Sequence, residues 1–362
     1  MAEVAEGFYL DGKKLPPARL TGVAVARHGY GRPTRVVEMI EAGHPIPDAA
    51  GMKAAERALV LADGATADDL VLVLMSGGAS ANWVAPAHGV SFEEKLALTR
   101  ALLRSGANIS EINCVRKHLS RLKGGRLARH SYPAQLMTIA ISDVPGDDPS
   151  AIGSGPTVSD PTTLADARSI VAKYKLDVSA SIMRALSDAA NETPKAGDAV
   201  FAGSRFMLAA RPADALRAAQ AAVTAAGYEC VMLGDRVEGE ARKVAVQHAA
   251  LARDLRARGK RAVILSGGEL TVTIHGSGRG GPNQEYALAV GMALAGMAGV
   301  AALAADTDGT DGGGGSASDP AGALVDGETA ARAKALGLDP AAFLADNDST
   351  GFFEALGNLM TP

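Results

Sequence analysis

Residues 71–83, VLVLMSGGASANW, carry an apolar strand pattern into the turn Ser76-Gly77-Gly78-Ala79-Ser80. Adjacent glycines let the backbone take conformations closed to other residues and bring peptide N–H groups close to an anion, and the two serines add hydroxyls. A phosphate or a carboxylate would suit the turn, although an ordinary strand-to-helix connection has the same composition. It is not a P-loop, because no Gly-Lys-Ser/Thr follows. Cations for such an anion lie in residues 113–130, NCVRKHLSRLKGGRLARH. Read as one helix, this stretch puts Arg116, Lys123 and Arg126 on one face, at spacings of 7 and 3, with Lys117 and Arg121 on the next. A solvated basic face is the plain alternative. The Gly124-Gly125 pair argues against it, since the pair costs helix stability and indicates close backbone approach or a helix break beside a bound anion.

Carboxylates occur in two loops. In SDVPGDDPSAIGSGPTVSDPTT (142–163), Asp143 stands at a strand end, with Asp147 and Asp148 in the loop beyond. Acidic side chains beside an anion cradle are what Mg²⁺ held jointly by protein and phosphate requires, whereas a plain solvated crossover needs none of this. In ADTDGTDGGGGSASD (305–319), Asp306 and Asp308 mimic the start of a calcium loop, but Thr310 and Ala317 fall where further ligands belong, so an EF-hand is excluded. Contact of Asp308 or Asp311 with Mg²⁺ stays open, as does a simple hairpin tip. GSGRGGPNQEY (276–286) has the Gly-x-Gly-x-x-Gly spacing of a dinucleotide loop but follows the alternating strand LTVTI, so it makes a poor nicotinamide site. As a nucleotide or substrate loop it would offer Arg279, Asn283 and Gln284. The histidines form no His-Glu-x-x-His array, so a metal-hydrolase site has no support.

These groups need a scaffold of strands and helices. Runs from Leu70 (LVLVLMS), Leu136 (LMTIAIS), Ala199 (AVFAGS), Ala262 (AVILSGG) and Gly299 (GVAALAADTDG) are apolar on both faces and read as central strands of parallel sheets. Helical patterns at 91–106, 212–227 and 238–259 separate them, the last two closed by glycine. The alternation implies α/β layers, and ligands of open parallel sheets bind outside the carboxyl ends of the strands, where Ser76-Gly77-Gly78, Asp143, Glu269 and the Asp306–Asp311 loop would converge. With 47% hydrophobic residues in 362, the chain can bury a large core and divide into two domains, with the break near Gly259. A net charge of -4 supports neither nucleic acid nor an anionic membrane surface as partner. Cys114 and Cys230 form no Cys-x-x-Cys pair, and no apolar run is long enough to span a membrane, so a soluble cytoplasmic protein is expected.

Taken together, EAGHPIPDAAG, LMSGGASA, INCVRKHLSRLKGG, SDVPGDDPSAIGSGPT, LSGGELTVTIHGSGRGGPNQEYAL and AADTDGTDG resemble the class II glycerate 2-kinase family, whose members often carry the older label hydroxypyruvate reductase. The resemblance runs over essentially the whole chain. It implies a Rossmann-like kinase domain over 1–258 and a MOFRL-like domain over 259–362, each a mostly parallel sheet flanked by helices, with the active site in the interdomain cleft. It also implies transfer of the ATP γ-phosphate, with Mg²⁺, to the 2-hydroxyl of D-glycerate, yielding 2-phosphoglycerate. On that basis Ser76, Gly77, Gly78, Ala79 and Ser80 hold phosphate or the glycerate carboxylate, and Arg116, Lys117 and Lys123 neutralise anionic oxygens. Asp143 with Asp308 or Asp311 positions the metal, and Glu269, Arg279, Asn283 and Gln284 contact ligand. The pattern departs in three places. The family's Gly-Lys-Ala turn, with its active-site lysine, is expected upstream of MAEVAEGFY; a last strand is expected beyond LGNLMTP; and Pro282 stands where many relatives have arginine. Two alternatives remain: an NAD(P)H-dependent hydroxypyruvate reductase, and a truncated, catalytically weak anion-binding remnant. A homodimer is an open option.

Overall fold

The structure is a computed structural model and describes residues 1–44, 46–144, 146–312 and 318–361. Its strands are short runs rich in Val, Ile, Leu and Ala. Within residues 1–211, β1 (Gly22–Arg27) pairs in parallel with β2 (Val37–Ala42). A second parallel sheet joins β3 (Leu70–Met75), β4 (Gln135–Ile141) and β5 (Ser204–Ala210), in that order. The Ala49–Asp63 helix, N-capped by the Asp48 carboxylate, supplies Leu59 to a core shared with Val73, Met75, Leu122, Leu127, Leu136 and Ile152. A second core gathers Leu98 and Leu102 of the Phe92–Arg104 helix, Val115 of the Ile109–His118 helix, and Ile170 and Leu186. Both of those helices start at capping boxes, Ser91 with Glu94 and Asn108 with Glu111, which fix where their side chains point.

Residues from 212 onward form a separate unit. There β6 (Glu229–Glu240) pairs in parallel with β7 (Ala262–Thr271), while β8 (Ala301–Ala305), β9 (Gly322–Asp326) and β10 (Leu359–Met360) form an antiparallel sheet in the order β10-β9-β8. The Pro282–Ala293 helix packs Leu288 and Val290 with Ala323, Val325, Phe352 and Phe353. None of the helices among the described residues is long and apolar enough to cross a membrane.

Several elements differ from the sequence-based expectation. The units divide between Arg211 and Pro212, earlier than the break near Gly259, because β6 belongs with β7 and the Pro212–Ala225 helix packs on both. AVFAGS is not a strand: Ala199–Phe201 is a 3-10 turn that packs Phe201 on Gly125, and β5 begins at Ser204 with alternating exposure. β8 runs antiparallel to β9, since the described residues between them hold no helix to carry a parallel crossover. The helix expected from 238 starts at Ala241, as Glu238, Gly239 and Glu240 pair with Glu269, Leu270 and Thr271.

The basic stretch 113–130 is not one helix. The Ile109–His118 helix stops at Leu119, the chain pairs Ser120 with Pro86, and a new helix spans Arg126–Ser131. Gly124 and Gly125 make the break, with φ of +60° and +80°. Their N–H groups donate to the carbonyls of Ser154 and Gly155 at 3.0 and 2.7 Å. A Cβ on Gly125 would lie 2.8 Å from the Val158 carbonyl oxygen and 2.9 Å from the Phe201 ring. We expect Gly125→Ala to destabilise the fold by about 2–4 kcal/mol, combining left-handed strain with overpacking. Gly106 has the same φ of +80° with open space around it, so Gly106→Ala isolates the backbone component at about 1–2 kcal/mol. Equal losses in urea unfolding would show that the close approach at Gly125 carries no weight.

Candidate active site

The Phe92–Arg104 helix turns Lys95, Leu98 and Leu102 inward, so a lysine occupies the stripe where an apolar residue is the norm. Lys95 lines a cavity of about 330 Å³ together with Arg116 of the Ile109–His118 helix and Lys123 of the loop that follows. Lys123 is 1% exposed and Lys95 6%. Among the described residues, none of the three cations is paired with a carboxylate. Their hydrogen bonds run instead to neutral oxygens. Arg116 Nη2 donates to Ser80 Oγ at 2.8 Å and to the Ser80 carbonyl at 3.2 Å. Lys123 Nζ donates to the same carbonyl and to Ser80 Oγ, the latter at 2.9 Å. Lys95 Nζ donates to the Leu119 carbonyl at 2.6 Å.

Burial without a counter-charge disfavours the charged forms. It lowers Lys95 to about 7, with Arg116 and Arg126 adding repulsion, and it holds Lys123 well below the usual lysine range, with Arg116 and Lys95 adding theirs. Arg116 is lowered by burial as well. Buried cations are ordinarily paired, so this arrangement calls for an anion from outside the chain. Val84, Phe92, Leu96 and Leu103 add apolar lining, and the volume suits a small molecule.

Local structure explains the convergence. Where the helix ends, Leu119 accepts a hydrogen bond from Ala87 N and Arg121 N donates to Ala85 O, which bends the chain back so that Lys123 faces Ser80 beside Arg116. Ser80 is itself fixed by Ser154, whose hydroxyl lies 2.8 Å away. In the turn at the end of β3, Ser80 thus accepts from both Arg116 and Lys123. Ser76 and Gly77 are exposed, Ala79 opens the single-turn Ala79–Asn82 helix, and Gly78 adopts φ +80° against the His44 ring. At Gly77 a Cβ would sit 2.7 Å from Asp143 Oδ2, so the missing side chain is what lets the Asp143 carboxylate lie along the turn.

Other residues expected at the site have different partners. Lys117 forms a buried ion pair with Asp160 at 3.3 Å, and Asp160 Oδ1 also accepts from Thr162. Arg126 donates to the Asn191 carbonyl. In the second unit, Arg279 forms an exposed pair with Glu354 at 2.7 Å. Asn283 and Gln284 donate backbone N–H groups to Asp311 Oδ1 and Oδ2, at 2.9 and 2.7 Å, so Asp311 caps the Pro282–Ala293 helix. Burial raises Asp311, and those N–H donors oppose the rise. Asp308 is exposed and accepts from Thr310 N at 3.1 Å; Glu269 is exposed on β7 opposite Glu238. No group of three or more His, Cys, Asp or Glu side chains among the described residues could hold a metal ion. Of the three candidate aspartates, Asp143 lies beside the Ser76-Gly77 turn. Lys95 and His44, which line the cavity, were not anticipated; the signal for Lys95 was its place in the apolar stripe with Leu98 and Leu102.

Comparison with known proteins gives a consistent picture. Residues 1–187 match the family model described as a domain of unknown function, DUF4147, and residues 262–362 match the MOFRL family. A protein of Agrobacterium vitis that bears hydroxypyruvate reductase as a provisional name is 47% identical over 351 residues, covering 95% of this chain and 78% of its own. The D-glycerate 2-kinase of Thermotoga maritima is 39% identical over 365 residues, covering 99% of this chain and 84% of that enzyme. The crystal structure of the Thermotoga maritima glycerate kinase superposes with a TM-score of 0.86 at 38% identity, covering 100% of this chain and 84% of that one. With a DUF4147 domain, a MOFRL domain and this degree of likeness along its length, the chain belongs to the glycerate kinase family.

Proposed function

We propose that the chain phosphorylates D-glycerate at the expense of ATP, and that the cavity of Lys95, Arg116 and Lys123 seats the glycerate carboxylate. The observation that carries the seat is three cations lining one small cavity, the buried Lys95 and Lys123 and the half-buried Arg116, with no carboxylate partner among the described residues. A small hydroxy acid supplies the missing charge and leaves its hydroxyl free. Asp143 and the exposed Ser76-Gly77 turn follow the adjacent strands β4 and β3, at the carboxyl ends where α/β sheets bind ligands. The 2-hydroxyl oxygen bonds to the γ-phosphorus, the bond to the β,γ-bridging oxygen breaks with ADP taking the electron pair, and the hydroxyl proton passes to solvent. Such transfers depend on positioning and charge neutralisation more than on covalent chemistry from the protein. Mg²⁺, when bound with the nucleotide, would neutralise phosphate oxygens, and Asp143 is the residue that would hold it.

Hydride transfer is a poorer fit. The consecutive N–H groups of residues 275–279, the donors that a dinucleotide phosphate would need, already donate to Asn347, Asp346 and Asp348 at 2.7–3.1 Å. Cβ atoms on Gly276, Gly278 and Gly281 would collide with Asp346, Asp348 and Asp311. These glycines make room for the chain's own backbone.

With D-glycerate and MgATP we expect 2-phosphoglycerate and ADP, and with hydroxypyruvate and NADH no change in absorbance; the reverse pattern would overturn the assignment. Substitutions separate the ligand-facing cations from the structural one. Arg116→Ala should raise KM for D-glycerate about 10- to 100-fold, the loss of one charge-assisted hydrogen bond. Asp160→Asn, which leaves Lys117 buried and unpaired, should lower stability by about 3–5 kcal/mol while leaving KM of the folded enzyme unchanged. A KM effect from Asp160→Asn equal to that of Arg116→Ala would place Lys117 at the ligand after all.

A further inference from the structure

Lys95 and Lys123 are buried and line one cavity with Arg116; burial disfavours the charge of both, Arg116 adds repulsion to both, and Lys95 adds its own to Lys123. The surroundings give no relief. Arg116 reaches the cavity from the Ile109–His118 helix, Arg126 adds positive charge from the helix beyond the glycine break, and His44 lines the wall after β2. The remaining charged groups of the Ile109–His118 helix point elsewhere, Lys117 to Asp160 and His118 to Glu192 at 3.2 Å, and Glu111 caps the helix start and pairs with Lys173. Neither lysine depends on its charge for the hydrogen bonds it makes, because a neutral amine still donates to the Leu119 carbonyl or to Ser80. Because both amines line one cavity beside Arg116, protonation of Lys95 bears on that of Lys123.

We infer that the Lys95–Lys123 pair is one proton short in the free protein and takes up that proton when a carboxylate enters the cavity, so that ligand binding is linked to proton uptake. The inference rests on the reading of the cavity as the seat of the D-glycerate carboxylate. The proton comes from the buffer and adds to the free amine nitrogen; the entering anion repays its transfer by replacing repulsion with attraction. The pair thus tunes affinity as well as charge. Because a folded-state lysine lowered to about 7 binds its proton less tightly than an unfolded one, the free protein gains stability as pH rises from about 7 toward the ordinary lysine range, while ligand affinity falls over the same window.

Titration calorimetry with D-glycerate, at about pH 7.5 in buffers of different ionisation heat, reads the linkage directly. The carboxylate of D-glycerate is ionised throughout, so the ligand contributes no proton of its own. We expect uptake of about one proton per D-glycerate bound, and affinity falling by up to about tenfold per pH unit above neutrality. In Lys95→Met one of the two amines and the smaller source of repulsion on Lys123 are gone, while burial and Arg116 still act on Lys123, so binding should weaken and proton uptake should fall below the wild-type value. Binding by the wild type without uptake, or undiminished uptake in Lys95→Met, would overturn the proton linkage and leave the cavity reading standing. Failure of the wild type to bind D-glycerate at any pH would overturn both. Should Lys95→Met not fold, the wild-type uptake and its pH series decide the matter alone.

Discussion

The first unit is organised around a cost: two buried lysines and a half-buried arginine with no carboxylate to meet them among the described residues. Such an arrangement holds only if surrounding oxygens fix the side chains and the rest of the fold carries the penalty. Ser80 does the fixing. Its carbonyl and hydroxyl take donors from Arg116 and Lys123 at once, and Ser154 secures the hydroxyl from the other side. The capping boxes at Ser91 and Asn108 matter for the same reason, since they set the rotation of the two helices that deliver Lys95 and Arg116. The apolar cores beneath those helices supply the compensating burial.

The chemistry of the site follows from that constraint. A cavity lined by Lys95, Arg116 and Lys123 beside apolar side chains presents several donors to an entering anion. Preorganised charge of this kind needs no rearrangement when the reaction begins, which is why electrostatic placement is usually the largest catalytic contribution. Lys117 illustrates how narrow the distinction is. It is adjacent to Arg116 and more deeply buried, and its ammonium is paired with Asp160.

Much of this was legible in the residue order. The strands β3, β4 and β7, the helix beginning at Ser91 and the family itself followed from apolar runs, caps and motifs. The glycine pair at 124–125 correctly signalled a break with close backbone approach. What periodicity could not supply was the partner of each charged group. Arg116, Lys117, Lys123 and Arg126 share one stretch and one charge, yet Arg116 and Lys123 line the cavity while Lys117 pairs with Asp160 and Arg126 donates to the Asn191 carbonyl. Lys95 escaped notice for the opposite reason: it lies in an apolar stripe, far in sequence from the other cations. Nor could periodicity show that Asp311, read as a metal contact, accepts hydrogen bonds from Asn283 and Gln284, read as ligand contacts, at a helix start.

The glycine-rich loop of the second unit carries one more implication. By composition, residues 276–281 would be the slackest part of the chain, open to solvent and to proteases. Five successive amides, from His275 to Arg279, are instead tied to the turn Asp346–Asp348, and Asn347 is anchored in turn to the buried Glu285. The loop can loosen only when that turn loosens with it. Its amides should therefore exchange hydrogen as one cooperative block with residues 346–348, at a rate set by a shared opening rather than by local fraying.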